Sequence, residues 1–226
     1  MRAWQTITLA AVLATAAPAL AAQRVFVSST TTSGDLGGLE GADESCQLLA
    51  DAALLGGTWV AWLSTSDRDA IDRLLGDGPF LLVGTNEVVA ASRAELTSGT
   101  LQNDIERDEM GVQVPAAVWT GTDADGTAAD SGNFCDDWSD ASNEVFGQTG
   151  ASQMTDAAWT NANQVFCNLE IRLYCFEQNA AVGAPLLSWT ALVATALLLA
   201  SCGAWTLGGS RRSPHGPRGR ERLRRR

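Results

Sequence analysis

Gly56-Gly57-Thr58-Trp59-Val60-Ala61-Trp62-Leu63-Ser64 is the stretch on which the reading of the fold turns. Thr58 to Leu63 is uncharged and rich in bulky and β-branched residues, the composition of a buried strand. The glycine pair before it stops a helix. Upstream, Ala42, Cys46, Leu49 and Ala53 recur at spacings of four, three and four, which is one face of a helix running from Gly41 to that pair, with Cys46 toward the core. Further back, Arg24 to Ser29 alternates Val25 and Val27 with Arg24 and Phe26, an opening strand.

Working outward in the other direction, Asp67 to Leu75 is a short helix candidate with Gly76 as its stop. Phe80 to Val83 and Glu87 to Val89 form a hairpin around Gly84-Thr85-Asn86. Ser92 to Leu96 adds a helical turn, Ala116 to Thr120 a strand, and Glu170 to Phe176 a last strand in which Ile171, Leu173 and Cys175 alternate with Arg172, Tyr174 and Phe176. Between these strands lies a polar stretch, Gly121 to Asn163, that reads as loop. Loops of that length in compact domains carry function or are organised by a staple. The pattern is α+β.

Both ends are apolar. Met1-Arg2, the run through Leu9, Ala11, Val12, Leu13 and Ala14, and the triplet Ala19-Leu20-Ala21 make residues 1–21 a signal peptide cut after Ala21. Ala184 to Leu207 is a transmembrane-length apolar run with Trp189 and Trp205 near its edges, followed by a basic tail, 208–226, with eight arginines against Glu221. Cationic flanks stay in the cytoplasm, so the expected topology is outside-in. Pro185-Leu186-Leu187-Ser188-Trp189 before the apolar run resembles bacterial C-terminal sorting signals, which leaves a permanent anchor and release after processing both open. Export to the cell surface or outer envelope is expected either way.

The remaining 22–182 segment suits one domain with one core. It holds six arginines (24, 68, 73, 93, 107, 172), no lysine and 25 acidic residues, a formal charge of −19. A field of that sign repels nucleic acid and heparin-like polyanions and attracts divalent cations and basic proteins. Its four cysteines, Cys46, Cys135, Cys167 and Cys175, suit disulfides in an oxidising compartment. Three pairings are possible. A metal site is disfavoured because this segment has no histidine and no Cys-x-x-Cys.

Cys46 on the first helix, then GGTWVAWLS, AVWTGTDADG and FCDDW, then Cys167 and Cys175 in LYCFE, follow the order found in the endostatin domains of collagens. Trp159 to Cys175 matches the closing pattern of the wider C-type lectin-like fold, and the chain resembles bacterial surface proteins carrying such domains. The resemblance implies a single C-type lectin-like (endostatin-like) domain with two nested disulfides, Cys46–Cys175 and Cys135–Cys167. It does not carry the family's activities: the zinc histidines and the heparin-binding arginine patch of endostatin are missing, as are the lectin triplets Glu-Pro-Asn, Gln-Pro-Asp and Trp-Asn-Asp.

Calcium is the one cofactor the segment invites, because Asp123, Asp125, Asp130, Asp136 and Asp137 crowd one region and calcium takes six to eight hard oxygens. Asp123-Ala124-Asp125-Gly126 is not an EF-hand, since its glycine is displaced and Phe134 stands where a bidentate glutamate belongs. The single histidine, His215, lies in the tail, so histidine-assisted catalysis is unavailable, and carboxylate pairs such as Asp136 with Asp137 or Asp104 with Asp108 arise by chance in so acidic a chain. No enzyme is expected. Trp138 and Trp159, set among polar residues, are the candidate surface aromatics, with Asn161 beside them. The expected role is a surface-displayed interaction or adhesion module that meets an extracellular protein or glycan through its long acidic region. The alternatives are an envelope component without a specific ligand and a calcium-dependent carbohydrate binder.

Overall fold

The computed structural model describes residues 22–178, so the signal peptide, the apolar run 184–207 and the basic tail lie outside the described residues. Among the described residues no helix is long and apolar enough to cross a membrane.

The architecture is α+β, a single eight-stranded mixed sheet with two disulfides. Its strands are β1 (Gln23–Val27), β2 (Trp59–Ala61), β3 (Phe80–Leu82), β4 (Val88–Ala90), β5 (Ala117–Trp119), β6 (Phe146–Ala151), β7 (Asn163–Phe166) and β8 (Arg172–Glu177). Two right-handed helices accompany them, α1 (Gly38–Ala52) and the single turn α2 (Arg93–Leu96). The strand order is β4-β3-β1-β8-β5-β6-β7, with β2 also pairing β8. First and last strands are therefore neighbours: β1 runs antiparallel to β8 with Phe26 opposite Cys175.

Both faces of the central strands are covered, and their alternation sorts side chains between two apolar clusters. Phe26, Leu173 and Cys175 join Trp59, Leu63, Trp119, Trp138 and both disulfides on one face. Val25, Val27, Tyr174 and Phe176 join Trp62, Phe80 and Trp159 on the other. Of the expected helix face Ala42 and Cys46 are buried and Leu49 partly so, while Ala50 takes the place expected of Ala53, which caps the helix; the Cys46–Cys175 bond ties α1 to β8 with a Cα–Cα distance of 5.5 Å. The inner bond, Cys135–Cys167, has a Cα–Cα distance of 5.6 Å.

Polar side chains of α1 finish what the sheet leaves open. On the side of β2 away from β8, Asp43 Oδ1 accepts the Ala61 N–H at 2.8 Å and Gln47 Oε1 accepts the Trp59 N–H at 3.0 Å. Asp43 and Gln47 are one helical turn apart, which matches the two-residue repeat of outward N–H groups on a strand. Arg73 completes the set by donating to the Ala61 carbonyl at 2.7 Å and to Asp43 at 2.5 Å.

Two expectations are corrected by the structure. Asp67 to Leu75 forms only a 3₁₀ turn, Ile71–Arg73. Arg93 donates to the carbonyls of Ile71 and Leu74, so these are satisfied from outside and no longer helix is required. The stretch Gly121 to Asn163 is not simply loop, because it contains β6 and the start of β7, and β6 pairs with β5 through Ala117 opposite Ala151.

Candidate functional site

The region from Gly121 to Cys167 gathers most of the residues singled out from sequence. Its centre is one helical turn, Cys135–Trp138, of the left-handed kind: φ is +51° at Cys135, +53° at Asp136, +52° at Asp137 and +67° at Trp138. Each non-glycine residue in that conformation costs roughly 1–2 kcal/mol, although aspartate tolerates it better than most. Four constraints hold it. Cys135 is bonded to Cys167, the buried Trp138 indole donates to the Ser64 carbonyl at 2.8 Å, the Trp138 carbonyl accepts the Leu36 N–H at 2.9 Å, and Asp137 accepts both the N–H and the hydroxyl of Ser66 at 2.7 Å. Gly34 lies so close to the inner disulfide that a Cβ there would stand 2.4 Å from Cys135 Sγ, so the chain passes the bond only as glycine.

Three of the five candidate cation ligands, Asp123, Asp125 and Asp137, are occupied with their own surroundings. Asp125 Oδ1 accepts the N–H and hydroxyl of Thr127, bonds that hold its carboxyl below the usual aspartate range. Asp123 accepts the Asp130 N–H at 3.0 Å through one oxygen and the Asn161 amide through the other. Asn161 in turn accepts from Gln148, so Asp123, Asn161 and Gln148 form a chain that joins three parts of the region. Asp136 and Asp130 are exposed, while Asp137 is spent on Ser66. Among the described residues no group of three or more histidine, cysteine, aspartate or glutamate side chains is placed to hold a metal ion.

Trp138 and Trp159 are not surface aromatics. Both are fully buried, Trp138 against Trp119 with ring centroids 5.9 Å apart and Trp159 between Trp62 at 5.2 Å and Tyr174 at 5.7 Å. The polar residues flanking them are at the surface; the rings themselves fill the core. Among the described residues the aromatics that face solvent are Phe146, 40% exposed, and Phe166, 43% exposed, which sit opposite each other on β6 and β7 with rings 4.5 Å apart. Sequence reading missed this pair because Phe146 falls in the stretch read as loop and Phe166 just beyond it, before the last strand, where no alternation drew attention to a strand face.

Beside Phe146 opens a cleft of about 510 Å³ lined by Phe134, Asp136, Asp140, Glu144 and Val145. Among the described residues no arginine pairs with its carboxylates: Arg24 and Arg73 bind Glu177 and Asp43, Arg93, Arg107 and Arg172 donate to backbone carbonyls, and Arg68 is exposed. Arg73 is used doubly, on Asp43 and on two carbonyls of the β2 segment. The cleft is consequently lined by carboxylates without an ion-pair partner among the described residues.

No family model and no curated protein matches the chain. What the region can do therefore follows from its chemistry: it offers exposed aromatic surface and hydrogen-bond acceptors on a disulfide-tied frame.

Proposed function

We propose that the chain is an exported, surface-displayed interaction or adhesion module, non-catalytic, on a C-type lectin-like (endostatin-like) frame, and that it meets an extracellular protein or glycan through the region from about Thr122 to Asn163 and the strand that follows. The observation that carries this reading is the coincidence, in one region, of a solvent-facing phenylalanine pair with carboxylates that make no ion pair among the described residues. Exposed apolar surface rimmed by polar groups marks interaction sites. The frame reading is supported by the pairing of first and last strands, the Cys46–Cys175 tie and the enclosed Cys135–Cys167 bond. Membrane attachment through residues 184–207 belongs to the same proposal.

The test is adhesion of cells displaying the full chain to surfaces coated with a basic protein, an acidic protein or a neutral glycan, each with calcium and with chelator. Adhesion to one coating that is lost in a Phe146→Ser, Phe166→Ser variant is the expected result. Adhesion equal to that of cells lacking the chain on every coating contradicts the reading and leaves an envelope component without a ligand. Adhesion to glycan alone, abolished by chelator, moves the reading to a calcium-dependent carbohydrate binder.

A further inference from the structure

Exposed strand edges invite pairing with other chains, and folded proteins cover or blunt them. This sheet covers two of its three. The free side of β2 is taken by Asp43, Gln47 and Arg73. Along β4, the Gln102 N–H donates to the Val89 carbonyl at 2.9 Å and Asn103 Nδ2 to the Val88 carbonyl at 2.8 Å.

The third edge is β7, the outermost strand beyond β6. Its phase is set by the pairs Gly147 with Val165 and Thr149 with Asn163, and by the Cys167 N–H donating to the Val145 carbonyl at 3.1 Å just past the strand end. Alternation then turns the amides of Asn163 and Val165 toward β6 and those of Gln164 and Phe166 outward. Asn163, Gln164 and Phe166 are exposed; the Leu169 N–H donates to the Phe166 carbonyl at 3.2 Å, which leaves the outward amides of Gln164 and Phe166 and the Gln164 carbonyl to a partner. The open edge runs beside the solvent-facing Phe146–Phe166 pair, and beyond Phe146 lies the cleft with Asp136, Asp140 and Glu144.

We propose that β7 receives an extended, arginine- or lysine-bearing segment of a partner protein, which adds to the sheet as a further strand and covers the phenylalanine pair. This rests on the interaction-module reading and names the partner class. Main-chain bonds to an open edge supply affinity without sequence demands, and side chains on alternate positions supply selectivity. Charge decides which strand is accepted. A second copy of this domain brings the same −19 and is repelled, whereas a cationic strand is drawn to that charge and to the carboxylates of the cleft beside the edge.

The experiment is fluorescence anisotropy of an alternating arginine–valine octapeptide with the full chain in detergent micelles, and of a glutamate–valine octapeptide as the control. The arginine peptide is expected to bind and the glutamate peptide not, with affinity falling several-fold between low and physiological salt, roughly as screened charges do. Phe146→Ser with Phe166→Ser is expected to weaken binding about tenfold or more, as for exposed aromatic anchors. Gln164→Pro, which removes an outward N–H from the edge, acts in the same direction. The phenylalanine variants alter exposed positions and keep the parent's Tm, so they remain informative if the proline variant fails to fold.

Binding of the arginine peptide that survives both sets of changes overturns the proposal in favour of diffuse attraction to the acidic surface. So does an absence of binding. A concentration-dependent dimer lost in Gln164→Pro overturns it in favour of a second copy. If the adhesion assay succeeds while the peptide does not bind, only the partner class fails; if both fail, the module reading fails with it.

Discussion

Around Cys46–Cys175 the molecule is made of regular elements: α1 lies against β2 and β8, and its polar residues Asp43 and Gln47 close the open side of β2. Around Cys135–Cys167 regular structure thins out, and a left-handed turn, side-chain bonds to backbone and glycines pressed against the disulfide take its place. The first region ties Arg24, Glu177, Arg73 and Asp43 into two ion pairs. The second leaves carboxylates and two phenylalanines facing water. The contrast teaches that the frame and the candidate recognition surface have been built by different means: one by periodic burial, the other by local constraints that tolerate an exposed and polar sequence.

The contrast is broken most severely by removing each disulfide in turn. The two bonds span sequence separations of 129 and 32 residues. Loop-closure entropy then assigns about 5 kcal/mol to Cys46–Cys175 and about 4 kcal/mol to Cys135–Cys167. Replacing both cysteines of a pair by alanine is expected to lower stability in that order in denaturant titrations, with loss of the inner bond accompanied by faster hydrogen exchange confined to the left-handed turn and β7. Equal, uniform acceleration in both variants would erase the distinction between the regions.

Next in size is Arg73→Ala. It strands Asp43 and withdraws the donor from the Ala61 and Leu63 carbonyls, and loss of one member of such a partly buried pair costs about 3 kcal/mol. Lysine cannot restore the fork, so Arg73→Lys recovers only part of this in the same titration. In the second region, Trp138→Phe removes the indole bond to Ser64 and leaves space beside Trp119, an effect of about 2 kcal/mol.

The smallest effect concerns pH. Partial burial, and then the charges of Glu106 and Glu87, raise the Asp104 carboxyl above its ordinary range. The folded chain thus holds that proton to higher pH than the unfolded chain, so this group favours folding at acid pH and its contribution is lost as pH rises through the raised value. Asp104→Asn is expected to raise Tm slightly at neutral pH, with the gain disappearing in acid; thermal melts across that range check the sign.

The legibility of the sequence follows the same division. The helix face of α1, in part, the strand in TWVAWL, the hairpin of β3 and β4 and the closing strand were readable because apolar spacing reports burial directly, and the turn expected over Ser92 to Leu96 is α2. The disulfide pairing came with a resemblance, and both bonds are present. β6 escaped notice because Phe146-Gly147-Gln148-Thr149-Gly150-Ala151 has no apolar alternation: Gly147 is glycine because a Cβ would meet Trp119 at 2.6 Å and Gly150 because one would meet the Trp159 carbonyl at 2.0 Å. Packing against backbone and rings leaves no hydrophobic signature. The same blindness placed Trp138 and Trp159 at the surface, since neighbours in sequence say little about where a large ring goes when the chain turns sharply beneath it.

The most direct test of the division into frame and recognition surface is hydrogen exchange across the full chain, with and without the arginine–valine octapeptide. The account predicts slowed exchange at the outward amides of Gln164 and Phe166, with α1 and β4 unchanged. Slowing confined to Gly38–Ala52 or to Val88–Ala90, with β7 unaffected, would contradict it.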